Sequence, residues 1–159
     1  MNVGILADSH DNVPVLQTAL EWLVSRGAER LIHAGDLVAP FTAARLVETG
    51  LPFECVFGNN DGERLILKQK LDGHIQDPPL ELEWAGRRFL VLHAPMTLKA
   101  LGASRHYDVI IYGHTHEVVV ERVGKCLILN PGEIGGWLNG RRTCALLDTD
   151  TLNVQIADF

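Results

Sequence analysis

The sequence has no excess of positive charge and no long apolar run. Its 159 residues include 14 Lys and Arg against 20 Asp and Glu, a formal net charge of −6. This balance argues against a broad surface for binding nucleic acid or an anionic membrane. No apolar run approaches the roughly 20 residues that a membrane helix needs. We therefore expect no nucleic-acid duplex and no membrane as partners, whereas a local positive site could still hold a small phosphorylated substrate.

Cysteine is also scarce. Cys55, Cys126 and Cys144 are too few and too widely spaced for a disulfide framework, and each lies in an apolar run. We therefore expect buried thiols in a reducing compartment. The first ten residues, MNVGILADSH, lack the basic region and apolar stretch of a signal peptide. Together these features predict a cytoplasmic protein.

Short apolar runs rich in Val, Ile and Leu predict the strands. The runs are VGILA (3–7), RLIHA (30–34), FECVF (53–57), RFLVL (88–92), DVIIY (108–112), CLILN (126–130) and TCALL (143–147). Several are continuous rather than alternating, which is typical of strands that are covered on both faces. Turn-forming sequences at 121–126 and 136–142 indicate that the later strands are partly antiparallel.

Helical patterns lie between the early runs. Leu16, Leu20 and Leu23 form an apolar stripe, with a proline before it and a glycine after it. Two further helices are predicted over 41–48 and 61–71. The alternation of strands and helices predicts an α/β layered fold. Because no repeat or linker interrupts the chain, we expect a single domain over residues 1–159.

Polar side chains follow five of the predicted strands. They are Asp8 and His10, then Asp36, then Asn59 with Asn60 and Asp61, then His93, and finally His114 and His116. Each group alone could be a turn or a helix cap, and Gly-Asn-Asn at 58–60 is common turn chemistry. In open α/β sheets, however, ligands bind outside the carboxyl ends of the strands. The five groups together therefore predict one site.

Metal binding is the chemistry that suits this set. Histidine and carboxylate bind divalent transition metals, and an asparagine oxygen can complete the shell. Asp8 and His10 are two residues apart, as are His114 and His116, and in an extended backbone this spacing puts both side chains on one face. Seven candidate ligands exceed the needs of one tetrahedral ion and fit two ions that share a carboxylate. The expected reaction is hydrolysis by a metal-bound hydroxide.

These residues together resemble the calcineurin-like metallophosphoesterase superfamily. The matching motifs are DSH (8–10), GD (35–36), GNND (58–61), His93, GHTH (113–116) and NPGE (130–133). Their order, and the short chain, resemble the small bacterial and archaeal branch of YfcE-like phosphodiesterases. The resemblance implies a four-layer α/β/β/α sandwich of mixed sheets and a homo-oligomer, either a dimer or a tetramer.

The resemblance also implies a role for each ligand. Asp8, His10 and His116 would hold one metal, Asn59, His93 and His114 would hold the other, and Asp36 would bridge them. Manganese is the first expectation for both divalent ions, with iron, zinc or nickel as alternatives. The implied function is a metal-dependent phosphoesterase that hydrolyses small phosphodiesters, or phosphomonoesters, with a hydroxide bound at a dinuclear metal centre.

Asn60 and Asp61 are the further candidate catalytic residues. Many relatives have a histidine where Asn60 stands, and an amide can donate a hydrogen bond to a phosphoryl oxygen but cannot release a proton. We therefore predict slow turnover of substrates with poor leaving groups. Asp61 could orient Asn60 or a ligand histidine, or it could be a helix N-cap. The loop after His93, with Ala94 and Pro95, also departs from the branch's usual HGH.

Two other functions and several side chains stay open at this stage. The same motifs occur in a binding module that resembles the small retromer subunit, although such modules typically lose ligands. A DNA-repair nuclease would need extra domains and basic surfaces. His33 is expected to be a core histidine or one that supports a ligand. Arg141 and Arg142 could contact a substrate phosphate or simply be exposed, whereas Trp137 could line the site, line a subunit interface or have no particular role.

Overall fold

The computed structural model describes residues 1–159 and contains eleven strands and four helices. The strands are β1 (Asn2–Leu6), β2 (Arg30–His33), β3 (Phe53–Val56), β4 (Ile75–Gln76), β5 (Leu80–Trp84), β6 (Arg87–Val91), β7 (Val109–Ile111), β8 (Val118–Val123), β9 (Cys126–Pro131), β10 (Thr143–Asp148) and β11 (Asn153–Asp158). The helices are α1 (Val13–Ser25), α2 (Pro40–Glu48), α3 (Arg64–Lys70) and α4 (Leu98–Ala103). None of the helices combines the length and the apolar character that crossing a bilayer requires.

The strands form two mixed sheets. The first has the order β11-β10-β1-β2-β3-β4, with β1 to β4 parallel and β10 antiparallel to both of its neighbours. The second has the order β5-β6-β7-β9-β8, with β6, β7 and β9 parallel and the two edge strands antiparallel. The partly antiparallel pairing that the turn sequences predict is therefore confirmed.

Successive residues of the strands enter different hydrophobic clusters. Leu31 of β2 packs in the cluster beneath the first three helices, whereas its neighbour Ile32 packs between the two sheets. In β6, Val91 likewise lies between the sheets, and Leu90 lies in a third cluster beside Leu98 of α4. Each central strand is thus covered on both faces, which explains the continuous apolar runs. The order of layers is α/β/β/α, as predicted.

Most predicted elements are present, with shifted ends. The helix predicted over 61–71 begins at Arg64, and its N-cap is Glu63, so the interpretation of Asp61 as an N-cap is wrong. The apolar runs do not include β4, β5, β8 or β11, and no helical pattern predicts α4, because these elements are short or contain charged and polar residues. The clearest case is LELEW in β5, which lies at the edge of its sheet and has a side open to solvent.

The three cysteines are buried and free, as the sequence predicts. Burial raises the pKa of the Cys144 thiol to about 12 and also raises the pKa of the Cys55 and Cys126 thiols. They are packing residues rather than nucleophiles, because a thiol reacts as its thiolate.

Candidate metal centre

The predicted ligands lie together at one edge of the sandwich. They follow β1, β2 and β3 of the first sheet and β6 and β7 of the second, so both sheets contribute. Two groups of His and Asp side chains place their ligand atoms within 4.8 Å of one another. The groups are Asp8, His10 and His116, and Asp8, Asp36 and His93. The convergence that the strand-end analysis predicts is therefore present in the structure.

Two buried atoms of the first group have no hydrogen-bond partner in the protein. Asp8 Oδ1 lies 3.9 Å from His10 Nε2 and 3.7 Å from His116 Nε2. The two imidazole rings stack with their centroids 5.1 Å apart. Asp8 Oδ1 and His10 Nε2 are buried and have no hydrogen-bond partner. Because buried polar atoms are normally satisfied, these two atoms fit the ligands of a cation.

Asn59 completes the second group. Its Oδ1 lies 2.8 Å from His93 Nε2 and 2.9 Å from His114 Nδ1. The other ring nitrogen of His93 donates to the Ala34 carbonyl oxygen at 2.8 Å, which leaves Nε2 to face Asn59 and Asp36. A backbone acceptor on the far nitrogen is the usual way of fixing the tautomer of a ligand histidine.

Asp36 lies between His10 of the first group and His93 of the second. Its Oδ2 is 3.5 Å from His10 Nε2 and 3.4 Å from His93 Nε2. Burial alone would raise the pKa of Asp36, but the adjacent His93 ring and the hydrogen bonds from Asn60 hold it well below its usual range. Asp8 behaves oppositely, because burial raises its pKa to about 7 despite the nearby histidines. A cation at this site would therefore compete with a proton on Asp8 but not with one on Asp36.

The backbone is left-handed at five of the seven candidate ligands. Positive φ values occur at Asp8 (51°), His10 (40°), Asp36 (60°), His114 (67°) and His116 (60°). The expectation that paired ligands share a face through extended backbone is therefore wrong, and the side chains converge through tight turns instead. Residues other than glycine seldom adopt this region, and such strain is concentrated at functional sites.

Asp61 connects the turn at Asp36 with the turn at Gly58. Its carboxylate accepts hydrogen bonds from the backbone N–H groups of Asp36 (3.0 Å), Val38 (2.7 Å) and Gly58 (2.7 Å). Val38 is β-branched and has a φ of 80°, so its conformation needs such support. The structure therefore turns Asp61 towards the backbone that carries Asp36, and not towards Asn60 or a histidine.

Two glycines make room for the ligands. A Cβ atom at Gly58 would collide with Asp36, and one at Gly35 would collide with the His93 ring. Gly35 also has a φ of 97°, which only glycine adopts freely. The glycines of the GD and GNND motifs are thus required by close approach at the site.

Two supporting side chains lie behind the ligands. His33 is fully buried, with Nε2 2.7 Å from the hydroxyl of Ser9, which stands between two ligands, so its predicted supporting role agrees with its position. Glu133 is the last residue of the NPGE motif, and the sequence predicts no role for it. Its Oε2 lies 2.7 Å from His116 Nδ1. The sequence alone does not show that the NPGE and GHTH motifs lie side by side, so it gave no signal for this contact.

The residues whose roles stayed open have different environments. Trp137 donates from Nε1 to the carbonyl oxygen of His10 at 3.2 Å, so it borders the site. Arg141 forms an ion pair with Asp158 and also lines a pocket beside His116. The side chain of Arg142 packs against Gly136.

Comparisons with known proteins identify the class to which this fold and site belong. A profile of the calcineurin-like phosphoesterase superfamily domain matches residues 1–152. The chain therefore belongs to this superfamily, and the predicted family is confirmed.

Two curated relatives specify the branch. Phosphodiesterase MJ0936 of Methanocaldococcus jannaschii is 37% identical over 156 residues, which cover 94% of both chains. Phosphodiesterase YfcE of Escherichia coli K12 is 31% identical over 173 residues, which cover 97% of this chain and 91% of the relative. The similarity to the YfcE-like branch that the motifs predict is confirmed.

Solved structures agree with this assignment. A structure described as a novel archaeal phosphodiesterase superposes with a TM-score of 0.94 at 35% identity and covers 100% of both chains. A zinc complex of Vps29 from Entamoeba histolytica has a TM-score of 0.74 at 18% identity, covering 100% of this chain and 98% of the other. The latter likeness shows a common fold only.

Proposed function

We propose that the protein is a metal-dependent phosphoesterase that hydrolyses small phosphodiesters, with phosphomonoesters as the alternative substrate class. The observation that carries this proposal is the convergence of the seven candidate ligands, two of whose buried atoms, Asp8 Oδ1 and His10 Nε2, have no protein hydrogen-bond partner. Membership of the phosphoesterase superfamily and the phosphodiesterase names of two relatives support it.

The ligand set fits two divalent ions. Asp8, His10 and His116 would hold one ion. Asn59, His93 and His114 would hold the other, and Asp36 lies where it could contact both. We propose manganese, with iron, zinc or nickel as alternatives, because imidazole and carboxylate oxygen serve all of these metals. Bound ions would supply Lewis-acid activation of water and of the phosphoryl oxygens.

The chain's own residues orient the ligands and bind the substrate. Asn60 and His93 keep Asp36 ionised, and Asp61 holds the backbone that carries it. Asn59 and His114 are the exposed members of the set, so a substrate would approach from their side. A pocket of about 320 Å³ adjoins His116 and is lined by Asn139 and Arg141, among others. Its polar lining and small size suit a small phosphate ester.

We propose that the protein works in the cytoplasm as a dimer or tetramer of one-domain chains, without a nucleic-acid duplex or a membrane as partner. The net charge of −6 supports the absence of a polyanionic partner. The three buried free cysteines support a reducing compartment.

A binding module of the retromer type is the alternative. The likeness to Vps29 structures is compatible with such a role but does not favour it, because that likeness shows the fold alone. A module that had lost catalysis would be expected to lack ligands. This chain has a candidate residue at every predicted ligand position.

The test is hydrolysis of a nitrophenyl phosphodiester and of the matching monoester by metal-free protein reconstituted with each of the four metals. Asp36→Asn should abolish turnover, because it removes the central charge while keeping a residue type that tolerates left-handed backbone. Asp150→Ala, at an exposed turn outside the site, is the matched control and should retain full activity. Wild-type protein that is inert with every metal and both substrates would refute the enzymatic function.

A further inference from the structure

Glu133 collects four hydrogen-bond donors on one buried carboxylate. It lies two residues after the end of β9, and only 1% of its surface is exposed. Oε2 accepts from His116 Nδ1 at 2.7 Å and from the backbone N–H of Trp137 at 3.2 Å. Oε1 accepts from the backbone N–H groups of Leu138 at 3.3 Å and Asn139 at 3.2 Å. One side chain therefore holds a candidate ligand and a turn of backbone at the same time.

The contact with His116 determines which ring nitrogen is free. Nδ1 carries the ring proton and donates a hydrogen bond to Glu133. Nε2 therefore keeps its lone pair, and it faces Asp8 Oδ1 at 3.7 Å. Burial would raise the pKa of Glu133, but hydrogen bonds from His116 and Asn139 hold it below its usual value. A carboxylate in this place raises the basicity of the imidazole and fixes its orientation.

The segment 137–139 touches both histidines of the first group. Trp137 Nε1 donates to the His10 carbonyl oxygen at 3.2 Å, and Asn139 Nδ2 donates to the His116 carbonyl oxygen at 3.2 Å. Asn139 also lines the pocket beside His116. The side chains of Trp137 and Leu138 stand out from this segment, with 65% and 72% of their surface exposed. The segment therefore connects the first group with the rim of the pocket.

We propose that Glu133 is a positioning residue that couples the first metal site to the conformation of segment 137–139. The inference rests on the proposed function, because it assumes that Asp8, His10 and His116 hold an ion. Without the carboxylate, the His116 ring would lose its orientation and three backbone N–H groups would lose their acceptor. Coupling between two sites is reciprocal, so an ion at the first site should in turn order the segment.

The test compares Glu133→Gln with Glu121→Gln, a change of an exposed acid on β8. Equilibrium dialysis of metal-free protein against Mn²⁺ measures the number and strength of the sites. We expect two ions per chain in wild type and in Glu121→Gln. In Glu133→Gln we expect one site to weaken by about 10- to 100-fold while the other is unchanged, as is typical when the partner of a ligand is altered.

A spectroscopic readout tests the coupling in a second way. In a Trp22→Phe, Trp84→Phe background, Trp137 is the sole tryptophan. Its emission should change on Mn²⁺ binding, and this response should be lost in Glu133→Gln. The proposal can be tested in this way even if Glu133→Gln does not fold. If the emission of Trp137 in the protein that keeps Glu133 is insensitive to bound Mn²⁺, that result by itself overturns the proposal.

The outcomes separate this inference from the proposed function. Wild-type protein that binds no Mn²⁺ would overturn both. Two ions bound equally tightly by wild type and by Glu133→Gln would overturn the coupling alone and leave the phosphoesterase function standing. Selective weakening of one site, together with the loss of the Trp137 response, would support the coupling, since a merely structural effect would not discriminate between the two ions.

Discussion

Asn60 donates to both carboxylate oxygens of Asp36. Its backbone N–H lies 2.8 Å from Oδ1, and its side-chain Nδ2 lies 2.8 Å from Oδ2. The same Oδ2 faces a nitrogen of His10 and a nitrogen of His93. The amide is thus turned towards the central carboxylate, whereas the sequence led us to expect it against a phosphoryl oxygen. We infer that Asn60 acts mainly by keeping Asp36 ionised and oriented.

Asn60→His should speed the hydrolysis of substrates with poor leaving groups relative to those with good ones. A histidine can supply a proton that the amide cannot, and we expect a relative gain of up to roughly 100-fold, the low end for general acid catalysis. The measurement is the dependence of kcat/KM on leaving-group pKa across aryl phosphodiesters. Asn60→Ala controls for the lost hydrogen bond to Asp36. Equal slopes for the two variants would contradict the prediction.

Asn59→Ala should release one metal ion and leave the fold intact. The Oδ1 of Asn59 is the atom that lies near both His93 and His114, and the side chain is exposed, so its removal leaves no cavity in the core. Metal content after dialysis and the circular dichroism spectrum are the measurements. Asn153→Ala, at an exposed position of β11, should keep both ions. If Asn59→Ala also keeps both, Asn59 is only a turn residue.

Gly58→Ala should destabilise the protein and disturb the site, whereas Gly62→Ala should do neither. A Cβ at Gly58 would strike the backbone and side chain of Asp36, but one at Gly62 meets no atom within 4 Å. We expect a loss of about 1–3 kcal/mol for Gly58→Ala, typical of forced overpacking. Urea denaturation of the metal-free variants measures this loss. A Gly58→Ala protein as stable as wild type would show that the turns can relax without cost.

His33 should make the protein less stable in acid. Burial lowers the pKa of His33 from 6.5 to about 3, so the folded state holds this ring neutral while the unfolded state protonates it. Its stabilising effect is therefore complete above pH 6.5 and is lost as the pH falls towards 3, by about 1.4 kcal/mol per unit for one proton.

Urea unfolding of metal-free protein between pH 4 and pH 7.5 tests this expectation. His33→Gln should flatten the dependence of the free energy of unfolding on pH, because glutamine can hydrogen-bond to Ser9 but does not titrate. His106→Gln changes an exposed histidine and should leave the dependence as it is in wild type. Parallel curves for wild type and His33→Gln would show that His33 does not titrate between the two states.

Local features of the sequence sufficed to predict the strands that are buried on both faces and the types of the candidate ligands. Ile5, Ile32 and Ile111 belong to apolar runs because both faces of their strands are buried. A strand that is buried on both faces needs an apolar residue at every position, so the whole run is recognisable in the sequence. Asp8, Asp36 and His93 stand just beyond such runs, so strand-end reasoning could place them at one edge. The edge strand β5 alternates apolar and charged residues and therefore forms no continuous apolar run.

The sequence by itself thus determined the candidate ligand residues, their order and the layered α/β architecture. Tertiary structure alone decided how the donors meet. The turns at Asp8 and His116 are left-handed because contacts from distant segments hold them there, such as the hydrogen bond from Gly135 N–H to the Asp8 carbonyl oxygen. Glu133 lies 17 residues from His116 along the chain, and the pairing of β8 with β9 brings them together. Such contacts form only when the whole chain is packed, so no local pattern of residues predicts them.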